Sequence, residues 1–198
     1  MAQPLGRRER KKAATRRAIA DAALELFTER GFEAVGVREV AEAADVSTAT
    51  LFKHFPGKEA LVFDEDGDAG AALVAAVRDR PAGQGIVGAL HAHLRGVVAA
   101  LDADDPQVRR FLDLVQSSEA LREYARRRWL RHEAALTAAI VAECGDRVHP
   151  TTCGALAHFA LESLGLLAGE PDPVAALDRI LVLLEQGWRA HVPGASGL

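Results

Sequence analysis

The stretch Val37-Arg38-Glu39-Val40-Ala41-Glu42-Ala43-Ala44-Asp45-Val46-Ser47-Thr48-Ala49-Thr50-Leu51-Phe52-Lys53-His54-Phe55 decides how this chain folds. Val40, Ala41, Ala44, Val46, Leu51 and Phe55 recur at the spacing of two short helices that each bury one face. Ala41 and Ala44 are small enough to let those helices cross closely. Asp45 and Val46 stand where the chain must turn, and Ser47 is placed to cap the second helix by accepting from a backbone N–H near Thr50. The pattern predicts a helix-turn-helix. Its second helix exposes Thr48, Ala49, Thr50 and Lys53, side chains short enough to bring backbone and base edges together in a major groove. His54 and Lys58 flank the helix end, where they can reach phosphate oxygens.

Upstream, Ile19, Ala22, Ala23, Leu26 and Phe27 line one face of a first helix that ends at Gly31, and Phe32 and Val35 continue the apolar set. Its early turns are basic. Arg7, Arg8, Arg10, Lys11, Lys12, Arg16 and Arg17 crowd together with Glu9 as the lone acid, either a phosphate-attracting patch or a solvated charged tail. The chain as a whole carries −4, but residues 1–58 hold 11 Lys and Arg against 8 Asp and Glu, whereas residues 59–198 hold 13 against 20. Only the N-terminal third suits a polyanion.

The run Ala18–Lys58 resembles the DNA-binding domain of the TetR family of bacterial transcriptional regulators. The resemblance is carried by Gly31-Phe32, Val37-Arg38-Glu39-Val40-Ala41, Val46-Ser47, Leu51-Phe52-Lys53-His54-Phe55 and Lys58-Glu59-Ala60-Leu61. Two residues depart from that family's pattern. Asp45 stands where Gly is usual, asking a non-Gly residue to take the turn conformation, and Phe52 replaces a frequent Tyr, removing any phosphate contact from that hydroxyl. The resemblance implies an all-helical homodimer that binds a near-palindromic operator, with a DNA-binding domain over 1–56 and an effector-binding and dimerisation domain over 57–198. The residues expected at the DNA are Arg16, Arg17, Arg38, Ser47, Thr48, Ala49, Thr50, Lys53, His54 and Lys58.

The remaining residues are read on their own terms. Aromatic residues make up only 5%, and no alternating Val/Ile/Thr run bounded by hairpin turns occurs, so the whole chain is expected to be helical. Helices are expected near 9–30, 37–44, 48–54, 57–79, 84–102, 106–116, 118–144, 150–168 and 173–190. Asp105-Pro106 and Asp172-Pro173 supply starts, Pro150 marks another, and Gly67 and Gly70 would let helix 57–79 bend. Helices 150–168 and 173–190 are apolar almost all round, so each must be buried on more than one side. A second copy of the chain would cover the outer side, through Gly154, Ala157, His158, Leu161, Glu162, Leu181, Leu184 and Trp188; a central helix in a monomeric core is the alternative. His158 and Glu162, one turn apart, either bond each other or stand separately at the rim.

Leu121, Ala125, Trp129, Leu136 and Ile140 form the inward stripe of helix 118–144, with His132 among them as either a satisfied core histidine or an effector contact. Phe111, Gln116, Trp129, His132 and Phe159 are the candidate effector-pocket residues, with plain core as the alternative for Phe111, Gln116 and Phe159. Arg122, Arg126, Arg127, Arg128 and Arg131 make the opposite side of that helix basic, either as a solvated face or toward an anion.

Enzymatic and metal chemistry find no foothold. Gly194-Ala195-Ser196-Gly197 lacks the setting of a nucleophile elbow. Asp64, Asp66 and Asp68 lead to Ala75 where a calcium loop requires Glu. His91 and His93 fall on different helix faces, and Cys144 and Cys153 form no Cys-x-x-Cys pair and read as two buried thiols. No catalytic residue, metal or cofactor is expected. No apolar run is long enough to span a membrane and the N-terminus is charged rather than apolar, so a cytoplasmic protein without membrane contact is expected. The function expected is an effector-responsive, homodimeric DNA-binding repressor. The alternative is a helical ligand- or partner-binding protein whose basic N-terminus touches nucleic acid non-specifically.

Overall fold

The computed structural model describes residues 6–63, 69–100, 105–167 and 169–191. Within them the chain forms α1 (Arg7–Arg30), α2 (Val37–Ala43), α3 (Thr48–His54), α4 (Ala69–Arg78), α5 (Ile86–Ala100), α6 (Pro106–Ser117), α7 (Glu119–Cys144), α8 (Pro150–Glu162) and α9 (Pro173–His191), with no strand among the described residues. The all-α class expected from the sequence is the one observed. None of these helices is long and apolar enough to cross a membrane.

The starts follow the capping residues. The Asp105 carboxylate accepts from the Gln107 N–H at 2.8 Å with Pro106 in the first turn, and Asp172 accepts from Ala175 N–H at 2.9 Å ahead of Pro173. At α8 the cap is His149, whose Nδ1 accepts from Thr151 N–H at 3.2 Å. α1 stops at Gly31, which takes φ +84° and returns its N–H to Phe27 O.

Two expected helices are shorter than the sequence suggested. The span 57–79 is not one helix: a turn at Pro56-Gly57 leads into a single 3-10 turn over Glu59–Leu61, ahead of α4 over Ala69–Arg78. Gly67 and the Asp64, Asp66 and Asp68 positions lie outside the described residues, as does Gly194-Ala195-Ser196-Gly197. The span 150–168 ends as an α-helix at Glu162. Ser163, 1% exposed, turns its hydroxyl back to Ala160 O at 2.6 Å, and the following bonds tighten to i→i−3 through a 3-10 turn at Gly165–Leu167.

The chain divides into two compact units that are not consecutive segments: Met1–Asp66 with Ala103–Arg126, and Gly67–Asp102 with Arg127–Leu198. The unit carrying the helix-turn-helix therefore also takes in α6 and the first turns of α7. Its core joins Ile19, Phe27, Phe32, Val40, Leu51 and Phe55 to Leu61, Leu114 and Leu121, and Phe63 lies between Phe111 and Tyr124. Ser118, 3% exposed at the corner before α7, donates its hydroxyl to Glu33 Oε1 at 2.8 Å. Burying a hydroxyl there is tolerable because it is paired.

In the second unit α5 packs along α9 and against α4, with Leu90, Leu94, Leu136, Ile140, Leu161 and Leu177 at the centre. Asp178 on α9 accepts from His91 at 2.6 Å and pairs with Arg95 at 3.3 Å, and the His91 hydrogen bond leads the causes that hold its carboxyl below the usual range. Cys144 and Cys153 are free thiols buried in this core, as expected, and burial together with the neighbouring Cys153 pushes the Cys144 thiol up to about 11.

Arg80 closes the turn between α4 and α5. Its side chain, 12% exposed, donates to Val77 O at 2.6 Å, to Gln84 O at 3.0 Å and to Glu143 Oε2 at 2.6 Å. Removing it strands two carbonyls and a half-buried carboxylate. Arg80→Ala is expected to cost about 3 kcal/mol in urea unfolding, with Glu143→Gln costing less because the carbonyl bonds survive; equal stability of Arg80→Ala and the parent chain would contradict this.

Candidate nucleic-acid interface

α2 ends on a paired set of reversed hydrogen bonds. Asp45 N–H returns to Glu42 O at 3.1 Å and Val46 N–H to Ala41 O at 2.9 Å, which requires the residue between them to adopt a left-handed backbone. Asp45 does so at φ +51°, and it is the only non-Gly residue with positive φ among the described residues. Ser47 then leaves the turn extended, and its Oγ accepts from Thr50 N–H at 3.1 Å while the two hydroxyls share a bond of 2.8 Å. The cap expected from the sequence is the one formed.

The start of α2 is also tied down. Glu39 Oε1 accepts from Gly36 N–H at 2.9 Å and its Oε2 meets Arg30 at 2.7 Å, joining the end of α1 to the first turn of α2. The Gly36 N–H, then Arg30, hold the Glu39 carboxyl below its ordinary range. Capping-box spacing between Gly36 and Glu39 was readable in the sequence; the reach of Glu33 to Ser118 left no sequence signal.

With Leu51 and Phe55 fully buried, α3 turns Ala49, Phe52 and Lys53 to solvent and leaves Thr48, Thr50 and His54 half-buried. Arg38 is exposed on α2, and Arg17 is exposed on α1 at 3.8 Å from Asp21. The basic residues Arg7, Arg8, Arg10, Lys11 and Lys12 all stand exposed on the first turns of α1.

Two of the residues expected at the DNA are instead held by the unit's own core. Arg16 is 8% exposed, lies 4.2 Å above the Phe55 ring and donates to His54 O, so its guanidinium fastens α1 to the end of α3. Lys58 donates to Phe32 O at 2.5 Å with its ammonium 4.2 Å from the Phe32 ring. Each cation meets a ring face and a backbone carbonyl, something a charge count along the chain does not reveal.

Residues 19–64 match the family model for bacterial regulatory proteins, tetR family. The helix-turn-helix segment is thus of the TetR family. It is 37% identical over 93 residues to the HTH-type transcriptional regulator TcmR of Streptomyces glaucescens, a match covering 47% of this chain and 41% of TcmR. The chain thus spans less than half the length of the curated relatives it matches. Among solved structures it is similar to NalD, the secondary repressor of the MexAB-OprM multidrug efflux pump in Pseudomonas aeruginosa, with TM-score 0.57, 22% identity and coverage of 92% and 99% of the two chains. It is also similar to SmeT in a triclosan complex, with TM-score 0.58, 16% identity and coverage of 93% and 95%. These two likenesses concern the fold.

The expected effector residues are divided between the units. Phe111 packs against Phe63 in the first, and Gln116 is exposed there with its carbonyl accepting from Arg122. In the second, Trp129 donates its indole N–H to Glu162 Oε1 at 3.0 Å, His132 is half-buried on the same helix, and Phe159 is 55% exposed. His158 and Glu162 do not bond each other: His158 Nδ1 meets Glu133 Oε2 at 3.1 Å, because both side chains of the turn find partners on α7.

The expected dimer residues are likewise re-sorted. Ala157, Leu161, Leu181 and Trp188 belong to the second unit's own core, and Gly154 and Leu184 are half-buried. The faces of α8 and α9 left outside carry Phe159 at 55%, Val182 at 46% and Leu183 at 68%; Phe159 and Leu183 line an apolar groove of about 430 Å³ that also takes in Ala155 and Gly187.

The turn is directly testable. Asp45→Gly removes the left-handed strain and is expected to raise stability by up to about 1 kcal/mol, whereas Asp45→Val is expected to lower it by about 1–2 kcal/mol. Thermal unfolding of both variants measures this; Asp45→Val as stable as the parent would contradict the turn.

Proposed function

We propose that the protein is a DNA-binding transcriptional regulator, a homodimeric repressor released from a near-palindromic operator by an apolar or amphipathic small molecule. The observation that carries the reading is α3: capped by Ser47, seated by Leu51 and Phe55, and presenting Ala49 and Lys53 outward with Thr50 half-buried at the cap, while Arg38 is exposed on α2. Such a helix fits a major groove, with Thr50 and Lys53 at base edges and the basic turns of α1 supplying sequence-independent phosphate affinity. The relatives named as transcriptional regulators support it. Acting on DNA places the protein in the cytoplasm.

Dimerisation is supported by the outer faces of α8 and α9, where Phe159, Val182 and Leu183 leave an apolar surface in water. Two copies would set their recognition helices about 34–36 Å apart, one DNA turn, and an effector favouring another spacing opposes DNA binding. By reciprocity it binds the DNA-free form more tightly. SmeT's complex with triclosan supports an apolar or amphipathic effector here, and Trp129 fluorescence would report its arrival.

Fluorescence anisotropy across a salt series tests the DNA reading. Lys53→Ala and Thr50→Ala are expected to lose discrimination at one or two base pairs by about 1–3 kcal/mol, whereas Arg16→Ala should lower the unfolding temperature. Binding that is equally tight to all duplexes in the parent chain would favour the non-specific alternative. Sedimentation tests the dimer: Leu183→Glu is expected to give a folded monomer and Ala157→Glu an unstable second unit, since only the latter buries a charge within one chain. A monomeric parent at micromolar concentration would overturn it.

A further inference from the structure

Phe52 is a large apolar side chain of α3 that neither capping nor core packing explains. It is 50% exposed, stands outside the unit's core cluster, and shares its side of the helix with Thr48 one turn earlier and Ala49 three residues earlier. The ring has no hydrogen-bonding group, so it can take neither a base donor nor a phosphate oxygen. Its exposed flank of α3 therefore offers the Phe52 ring and the Ala49 methyl, with Thr48 half-buried at the edge, while the Thr50 hydroxyl, already bonded to Ser47 at 2.8 Å, lies on the other flank with Lys53 between. Exposed Lys53 next to the ring, and exposed Arg38 on the preceding helix of the same motif, suit a polyanion rather than an apolar protein surface. The major groove offers one apolar group at a base edge, the 5-methyl group of thymine.

We propose that Phe52 recognises the 5-methyl group of a thymine in each operator half-site, an inference that rests on the DNA-binding reading above. The preference it creates is for thymine over both cytosine and uracil at that position, and uracil isolates the methyl because the two bases pair alike. Withdrawing one methyl from contact with the ring is expected to weaken binding about fourfold per half-site.

The test uses the full chain. Duplexes selected from a random pool give the preferred sequence, and each thymine is then replaced singly by deoxyuridine and binding measured for the parent, Phe52→Ala and Phe52→Tyr. The expected result is one thymine per half-site at which uracil costs the parent about fourfold, a penalty absent in Phe52→Ala and retained in Phe52→Tyr, which keeps the ring. Unfolding temperatures of the two variants near that of the parent confirm that an exposed side chain was changed. A parent indifferent to uracil at every position, or a penalty that persists in Phe52→Ala, overturns the inference while leaving the DNA-binding reading standing. Selection that enriches no sequence overturns that reading and this inference with it.

Discussion

The left-handed turn at Asp45 is the constraint on which the exposed face of α3 depends. The bond from Val46 N–H to Ala41 O closes only if Asp45 takes φ +51°, and that closure fixes how α3 leaves α2. Everything further out follows. Ser47 reaches the orphan N–H of Thr50, Leu51 and Phe55 fall into the core, and the opposite side of a two-turn helix is left with Ala49, Phe52 and Lys53. An isolated seven-residue helix would not persist in water; this one is held by a cap at one end and by Arg16, stacked on Phe55, at the other.

The same unit shows charge used to hold its own elements together. Arg16, Lys58 and the Arg30–Glu39 pair each bridge α1, or the segment after it, to the helix-turn-helix. Ser118 and Glu33 add a buried bond between the turn after α1 and the corner before α7. A displacement of α6 or of the start of α7 would thus be felt by the residues that seat α2. In the second unit Arg80 collects partners from α4, the following turn and α7, and Asp178 ties α9 to two residues of α5.

Much of this was legible in the sequence where a short-range rule decides the outcome. Ser47, Asp105-Pro106 and Asp172-Pro173 declare helix starts, Gly31 declares a stop, and the spacing of Val40, Ala41, Leu51 and Phe55 declares the helix-turn-helix. Reading failed where distant contacts decide. Nothing local says that Arg16 faces Phe55 or that Lys58 faces Phe32. On α8 and α9, apolar residues surround the helix, so periodicity could not separate Ala157 and Leu181, which face inward, from Phe159 and Leu183, which face out. The break in 57–79 was signalled by Pro56-Gly57, but the apolar residues beyond it kept a helical period and masked the 3-10 turn.

The central claim is that α3 enters a major groove, and one measurement addresses it directly. Cys144 and Cys153 are buried with the Cys144 thiol raised to about 11, so a cysteine introduced by Ala49→Cys can be labelled alone with an iron chelate that cuts nearby DNA. On the selected duplex the account predicts two clusters of cuts about one helical turn apart, related by a two-fold axis and carrying the strand offset of major-groove attack. Cuts spread evenly along the duplex, or carrying the minor-groove offset, would contradict it.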